Sequence, residues 1–223
     1  MNEPIYDART FWELLERRVE LSADKKMLID DSDRSLTFSE VKEKAEKTAA
    51  GLEQLGVREG TPVTWVLPTR IETIVTSLAL SRLGAVQNPI IHIYREKEVG
   101  FCIRQTNAEI VLVPGEWNSF NYQEMVKNST VDMDNPPKII EIYNSLPEAE
   151  GTELPEEIDV ATNETIKWIY YTSGTTSDPK GAMHTDSTLM AGGVGLAKAL
   201  NMGEKDIGSI AFPYAHIGGP DYL

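Results

Sequence analysis

Short apolar segments alternate with amphipathic helical segments along most of this 223-residue chain. The pattern predicts strands at 63–67, 109–113, 138–143, 166–172 and 207–212, and helices at 37–56, 70–83, 96–106 and 186–200. A strand followed by a helix and a second strand favours parallel pairing, because the helix returns the chain across one face of the sheet. The sequence therefore predicts an α/β fold, with a mostly parallel sheet flanked by helices.

The helix predicted at 37–56 has signals at both ends. Thr37 and Glu40 have the spacing of a capping box, in which the two side chains bind free backbone N–H groups. Gly56 is typical of the position after a helix. Residues 86–93 look extended but contain Pro89, which cannot donate a hydrogen bond to a neighbouring strand. We therefore predict this segment at a sheet edge or in a connection.

Acidic residues are concentrated in one part of the chain. The chain has 35 Asp and Glu against 21 Lys and Arg, which gives a net charge of −14. Residues 145–165 contain seven acidic residues and no basic one, together with prolines, a glycine and few apolar groups. We predict that this segment is a solvated connection and not an electrostatic binding surface.

The composition argues against several classes of protein. No apolar run approaches the ~18–20 residues of a transmembrane helix, and the first residues lack the pattern of a signal peptide. A single cysteine, Cys102, excludes an intrachain disulfide and a Cys-rich zinc site. The acidic balance disfavours nucleic acid as a partner, because phosphate backbones bind basic surfaces. We expect a cytoplasmic protein.

The most informative segment has the sequence YTSGTTSDPKG at positions 171–181, between a predicted strand and a predicted helix. In parallel sheets, ligands bind beyond the carboxyl ends of the strands. Gly174 can bring the backbone close to a ligand, and successive amides and hydroxyls can surround an anion. Lys180 adds a mobile positive charge. We predict a polyphosphate-binding loop, with a surface turn rich in Ser and Thr as the alternative.

Two other nucleotide-binding motifs fit less well. Gly174 and Lys180 have the separation of a Walker-type loop, but Pro179 and Gly181 stand where that loop has a second glycine and a Ser or Thr. Proline also has no N–H to donate to a phosphate. Gly193 and Gly195 are not followed by the third glycine of a dinucleotide-binding motif, and they lie within a helical pattern.

The segment at 171–181 resembles the phosphate-binding signature of the adenylate-forming enzymes, which include acyl-CoA synthetases, luciferases and peptide-synthetase adenylation domains. One fixed position differs, since Ser177 replaces a glycine. Three other segments resemble family blocks in the same order: LTFSEV at 36–41, LSRLGAVQNP at 80–89 and FPYAHIGG at 212–219. The second block is more similar to that of the acyl-CoA ligases than to that of the peptide synthetases.

This resemblance implies an ATP-dependent acid–CoA ligase. In such an enzyme, a fatty or cyclic carboxylic acid attacks the α-phosphate of ATP to give an acyl-adenylate and pyrophosphate. The thiol of CoA then displaces AMP to give a thioester. The resemblance thus implies a small-molecule acid, ATP and CoA as ligands, with Mg²⁺ accompanying ATP.

The resemblance also implies roles for individual residues. The residues expected to hold the β- and γ-phosphates are Thr172, Ser173, Gly174, Thr175 and Thr176. Lys180 would assist them and is the expected catalytic residue. His216 is expected to line or gate the acid pocket, together with Gly218 and Gly219.

Family members are longer than this chain, and the resemblance therefore implies an incomplete domain. A later nucleotide- and Mg²⁺-binding motif, the ribose-binding Asp, the hinge and the small C-terminal domain with its catalytic lysine are not found here. We expect residues 1–223 to be the N-terminal part of a large AMP-binding domain, inactive alone. Apolar surface exposed near its end could favour a homo-oligomer. The alternative functions are a P-loop phosphotransferase and a non-catalytic nucleotide-binding module.

Overall fold

The computed structural model describes residues 5–150, 154, 165–172, 178–203 and 205–222. Its helices are α1 (Phe11–Ser22), α2 (Phe38–Gln54), α3 (Ile71–Arg82), α4 (Glu96–Thr106), α5 (Tyr122–Ser129), α6 (Asp186–Ala199) and α7 (Gly218–Asp221). Its strands are β1 (Lys26–Ile29), β2 (Ser35–Thr37), β3 (Pro62–Trp65), β4 (Val86–Pro89), β5 (Ile110–Val113), β6 (Glu116–Trp117), β7 (Phe120–Asn121), β8 (Lys138–Glu141), β9 (Trp168–Thr172) and β10 (Lys180–His184).

Six of these strands form one sheet in the order β10-β9-β4-β3-β5-β8. The five strands from β9 to β8 are mutually parallel, and only β10 at one edge of this sheet is antiparallel to its neighbour. The strands β1 and β2 form a separate small hairpin, as do β6 and β7. The predicted α/β fold with a mostly parallel, helix-flanked sheet is confirmed.

The sheet separates two hydrophobic clusters. Successive side chains of β5 enter them alternately, because side chains of a strand point to opposite faces. Ile110 and Leu112 join the cluster beneath α1, α2 and α3, whereas Val111 and Val113 join the cluster beneath α4 and α5. All four residues are buried, as expected for a parallel strand covered on both faces.

Helix α2 forms where its end signals predicted it. The Thr37 hydroxyl accepts a hydrogen bond from the backbone N–H of Glu40 at 3.2 Å. The Glu40 carboxylate in return accepts one from the backbone N–H of Thr37 at 2.8 Å. Gly56 follows the helix with φ of +108°, a conformation that glycine adopts without strain. Local chemistry thus determines both ends of α2.

The prediction that residues 86–93 lie at a sheet edge or in a connection is wrong for residues 86–89. Strand β4 lies inside the sheet, between β3 and β9, and Pro89 pairs with Trp65 of β3. The neighbour on the other side is β9, which pairs with β4 at Gln87 and Trp168. A proline is tolerated here because another donor replaces its missing N–H, as described below.

Two further differences concern strands near the end of the chain. The segment 207–212, predicted as a strand, has no strand partner within the described ranges, and Ile207 is 85% exposed. Conversely, residues 180–184 form β10, which the apolar pattern did not indicate. A strand requires a partner, and strand propensity alone does not supply one.

The first part of the acidic segment is also not simply solvated. The backbone N–H of Ala149 donates to the carbonyl of Lys47 in α2 at 3.0 Å. The carbonyl of Pro147 occupies the space that a side chain at Gly51 would need. Two ion pairs join this part to α2: Lys44 with Glu148 at 3.5 Å and Lys47 with Glu150 at 3.3 Å. Most of the segment that follows lies outside the described residues.

Candidate functional site

The candidate phosphate-binding loop connects β9 to β10, which form an antiparallel hairpin. Thr172 is the last residue of β9 and lies directly opposite Lys180, the first residue of β10. Both side chains are exposed. The other predicted phosphate ligands lie outside the described residues: Ser173, Gly174, Thr175 and Thr176. The hairpin therefore brings the two ends of the predicted loop together.

This connectivity differs from the prediction that the loop leads from a strand into a helix. Lys180 begins a strand, and α6 starts only at Asp186, after β10 has crossed back along the sheet. A Walker-type loop needs a helix N-terminus beside the phosphates, since the helix supplies both N–H groups and a favourable dipole. The position of β10 thus adds to the sequence argument against a P-loop phosphotransferase.

A cavity of about 980 Å³ opens beside the hairpin at the carboxyl ends of β4 and β9. Its walls are formed by α4, the hairpin and residues 215–217. Thr172 and His216, which are 44 positions apart in the sequence numbering, both line this cavity. Lys180, Gly218 and Gly219 do not line it. The structure thus joins one predicted phosphate ligand and one predicted acid-pocket residue at a single cavity.

The His216 ring is oriented by the turn that contains it, residues 213–219. Its Nδ1 accepts a hydrogen bond from the backbone N–H of Gly218 at 3.1 Å. In the neutral ring the proton is consequently on Nε2, which can donate to a ligand. The ring also contacts the edge of Phe212, with centroids 6.1 Å apart. The turn therefore fixes both the tautomer and the direction of this side chain.

Tyr214 anchors the same turn to the core, a role that the sequence did not reveal. Its backbone N–H donates to the hydroxyl of Thr69 at 2.8 Å, just before α3. Its buried ring stacks on Trp65 with centroids 6.0 Å apart. The Tyr214 carbonyl fills the space beside Gly219, where a Cβ atom would collide with it. Gly219 is thus required for packing of the turn, and it is buried.

Aromatic residues form much of the cavity wall. The Tyr171 hydroxyl donates to the side-chain oxygen of Gln105 at 2.6 Å, and its ring packs edge-on against Phe101 of α4. Burial, with the nearby Cys102 as a smaller cause, raises the pKa of Tyr171 to about 12. Burial also raises the pKa of Cys102 to about 12, so this thiol is protonated near neutral pH. A protonated thiol is a weak nucleophile.

Helix α4 also brings charge to the cavity. Lys97, Glu98 and Arg104 are lining residues. The guanidinium of Arg104 donates to the Ser129 carbonyl at 2.8 Å and lies 3.4 Å from the Asp132 carboxylate. Lys97, Phe101 and Arg104 have the spacing of one helical face, which was the available sequence signal. That spacing could not indicate which part of the protein the face would meet.

Two further properties of the described residues concern membrane-spanning helices and clusters of metal-binding side chains. No helix within them is both long enough and apolar enough to traverse a lipid bilayer. No group of three or more His, Cys, Asp or Glu residues within them could bind a metal ion.

The sequence matches the family model of the AMP-binding enzymes over residues 15–222. The chain belongs to this family. It is 31% identical over 208 residues to the 2-succinylbenzoate–CoA ligase of Geobacillus kaustophilus (strain HTA426), covering 92% of this chain and 39% of that protein. It is 28% identical over 203 residues to 4-coumarate-CoA ligase 1 of Narcissus pseudonarcissus, covering 87% of this chain and 37% of that protein.

Solved structures of CoA ligases share the fold. A long-chain-fatty-acid-CoA ligase from Archaeoglobus fulgidus superposes with a TM-score of 0.81 at 24% identity, over 100% of this chain and 46% of that one. The O-succinylbenzoate coenzyme A synthetase of Bacillus subtilis, in complex with AMP, superposes with a TM-score of 0.75 at 25% identity. The superposition covers 95% of this chain and 51% of that one. The chain thus spans about half the length of these structures, and 39% and 37% of the two curated relatives.

Proposed function

We propose that the protein containing this chain is an ATP-dependent acid–CoA ligase that forms AMP. The observation that carries the proposal is the meeting of Thr172 and His216 at one cavity, beside a hairpin whose second strand begins at Lys180. Membership of the AMP-binding family supports it, as do the CoA ligases among the relatives. A further solved relative of this fold, from Bacillus subtilis, is in complex with ATP and magnesium ion.

In the proposed first step, a carboxylate oxygen of the acid bonds to the α-phosphorus of ATP, and the bond to the β-phosphate breaks. The products are an acyl-adenylate and pyrophosphate. Two anions must approach each other, so the protein has to position them and offset their charge. We assign this role to Lys180, and contacts to the β- and γ-phosphates to Thr172, Ser173, Gly174, Thr175 and Thr176.

In the proposed second step, the sulfur of CoA attacks the acyl carbon and AMP leaves. The thiol proton is lost, and the product is a thioester. We assign His216 to the wall of the acid pocket, because its Nε2 is available to a ligand while Nδ1 is occupied by the N–H of Gly218. Gly218 and Gly219 are assigned to shaping this wall, and packing of Gly219 on Tyr214 supports that part of the assignment.

The acid is proposed to be fatty or cyclic. Aromatic and aliphatic side chains dominate the described part of the cavity, including Phe101, Tyr171 and Ile217, and such surfaces bind apolar groups. Relatives named for 2-succinylbenzoate, for 4-coumarate and for long-chain fatty acids support the same range. ATP and CoA would be the co-substrates, in the cytoplasm.

Mg²⁺ is proposed to enter with ATP, supplying positive charge at the phosphates when it is bound. Magnesium in such sites is typically held by substrate phosphates, waters and one or two carboxylates. The hydroxyls of the hairpin are suited to the remaining phosphate oxygens, since they donate hydrogen bonds. Residues 1–223 are proposed to be the N-terminal part of the AMP-binding domain, with the remaining machinery elsewhere in the protein.

The proposal is tested by pyrophosphate exchange into ATP, measured with the whole protein and a panel of fatty, cyclic and aromatic acids. We expect exchange that depends on at least one acid, and thioester formation when CoA is added. The control omits the acid, because an adenylate-forming enzyme exchanges pyrophosphate only through the acyl-adenylate. Production of ADP without any acid would instead indicate a phosphotransferase and would contradict the proposal.

A further inference from the structure

The pairing of β4 with β9 has a gap at Pro89. The backbone N–H of Gln87 donates to the carbonyl of Lys167 at 2.7 Å. On a regular parallel ladder, the next N–H of β4 directed toward β9 belongs to position 89 and meets the carbonyl of Ile169. Because proline has no N–H, this backbone donor does not exist. A sheet carbonyl that is shielded from water and has no partner is costly, so another donor at this place is favourable.

The side chain of Asn88 supplies the missing donor. Its Nδ2 donates to the carbonyl of Ile169 at 2.9 Å. Its Oδ1 accepts a hydrogen bond from the Thr64 hydroxyl of β3 at 3.0 Å. Asn88 is only 1% exposed. One buried amide therefore connects three neighbouring strands, β3, β4 and β9, at the place where backbone pairing is interrupted.

This link lies close to the candidate phosphate-binding loop. Ile169 is three residues before Thr172, at which β9 enters the loop, and it pairs with Met183 of β10. The regular pairing of β9 with β4 is at Trp168, so the Asn88 amide extends the attachment of β9 toward the loop. The direction of β9 beyond this point determines where Thr172 and Lys180 lie relative to the cavity.

We infer that Asn88 is a positioning residue for Thr172 and Lys180, the described ends of the candidate phosphate-binding loop. The inference rests on the proposed function, because the site that Asn88 would position is the phosphate site assigned there. Asn88 acts through Ile169 and the path of β9, and it does not contact the nucleotide. Its loss is expected to weaken productive binding of the triphosphate more than binding of the acid, because much of the cavity wall belongs to α4 and residues 215–217.

The neighbouring residue provides a matched control. Gln87 is another amide with 1% exposure, but its side chain connects β4 to α3 and β3. Its Nε2 donates to the Ser77 carbonyl at 3.1 Å, and its Oε1 accepts from the Trp65 indole at 3.2 Å. Replacing Gln87 removes buried hydrogen bonds of similar kind without removing the side-chain link to β9.

The test compares Asn88→Ala and Gln87→Ala in the whole protein, by unfolding in urea and by acid-dependent pyrophosphate exchange. Both variants are expected to be less stable. Asn88→Ala alone should lower kcat/KM for ATP, by about tenfold if one hydrogen bond of ordinary strength is lost, with a smaller change in KM for the acid. Equal ATP kinetics in the two variants would overturn the inference.

A rescue experiment tests the physical cause directly. Pro89→Ala restores a backbone N–H at position 89, which can bind the Ile169 carbonyl in place of the amide. We expect the double variant Asn88→Ala, Pro89→Ala to regain much of the ATP kinetics lost in Asn88→Ala. A double variant as impaired as Asn88→Ala would contradict the inference.

If Asn88→Ala does not fold, Asn88→Leu replaces it, since leucine has a similar shape but offers no donor to Ile169. Normal kcat/KM for ATP in folded Asn88→Leu would also contradict the inference. Failure of the proposed function is distinguishable from these results. It would appear as a wild-type protein with no acid-dependent exchange, and it would remove both proposals.

Discussion

The buried carboxylate of Asp186 accepts a hydrogen bond of 2.6 Å from the indole nitrogen of Trp168. Its other oxygen accepts one of 3.3 Å from the backbone N–H of Phe11. Asp186 is the first residue of α6 and Phe11 is the first residue of α1, so two helix N-termini meet at one carboxylate. Helix dipoles favour a negative charge at such a place. Asp186 thereby joins α1 and α6 to the base of the β9–β10 hairpin.

Asp186→Ala is expected to destabilise the protein by about 1–3 kcal/mol, because the Trp168 indole is left buried without its acceptor. The measurement is urea unfolding of the two proteins. Asp24→Ala is the control, since Asp24 is an exposed residue just after α1. If Asp186→Ala lowers the free energy of unfolding no more than Asp24→Ala does, the Asp186 hydrogen bonds contribute little.

The decrease in the free energy of unfolding caused by Asp186→Ala should depend on pH. Burial raises the pKa of Asp186, and the hydrogen bond from Trp168 opposes this only in part. A carboxyl with a folded pKa above its unfolded pKa binds a proton more tightly in the folded state. Its contribution to stability is largest below the unfolded pKa of about 3.9 and decreases as the pH rises through the folded pKa.

The stability difference between wild type and Asp186→Ala should consequently be larger at about pH 4 than at about pH 7. Unfolding curves of both proteins across this range check the sign. Since alanine does not titrate, a difference that grows with pH would contradict the raised pKa of Asp186.

Lys180→Ala is expected to slow acid-dependent pyrophosphate exchange by about a hundredfold, because a positive charge at the phosphates is lost. The variant should fold normally, since the Lys180 side chain is exposed at the start of β10. Lys198→Ala is the matched control: Lys198 is an exposed lysine of α6 that lies over the Tyr6 ring at 4.7 Å. Unchanged exchange in Lys180→Ala would remove this lysine from the mechanism.

Two substitutions at His216 separate a ligand contact from a structural role. An asparagine can place its side-chain oxygen near the position of Nδ1 and accept the N–H of Gly218, but it has no group at Nε2. Alanine removes both. If Nε2 contacts the acid, His216→Asn and His216→Ala should both raise KM for the acid, without a matching rise in KM for ATP.

Steady-state kinetics of the exchange reaction with varied acid measure this difference. Wild-type kinetics in His216→Asn, together with a defect in His216→Ala, would show that His216 only stabilises its turn.

Gly219→Ala should destabilise the protein, because its Cβ atom would collide with the Tyr214 carbonyl. Overpacking of this kind costs about 1–3 kcal/mol. Gly195→Ala in α6 is the contrasting variant, since nothing lies within 4 Å of its added Cβ atom. It should stabilise by about 0.5–1 kcal/mol, because alanine loses less backbone entropy in a helix. Thermal unfolding distinguishes the two, and equal effects would contradict the packing described for Gly219.

Elements with local signals could be predicted from the sequence. Helix α4 has the predicted bounds, Glu96–Thr106, and α2 begins after the predicted cap at Thr37. In both cases the spacing of apolar residues within a few turns is sufficient, because helical hydrogen bonds join residues four apart. The α/β class followed from the alternation of such elements. Thr172 and His216 could be proposed as site residues because both lie in recognisable motifs.

Strand neighbours could not be predicted in the same way. The bond from Asn88 to Ile169 joins residues 81 positions apart, and it allows Pro89 to occupy an interior strand. The general expectation for proline assumed that no side chain would replace its N–H. Strand β10 was likewise missed, because its exposed side chains do not alternate clearly between apolar and polar.

The helix caps, the α/β class and the segment predicted to carry the candidate site could be recognised without coordinates, since they depend on residues close together in the chain. Folding was needed to reveal that α4 forms a wall of the cavity, that Asp186 joins two helix N-termini and that an asparagine completes the sheet. Each of these contacts joins separate elements, and its geometry arises when those elements pack.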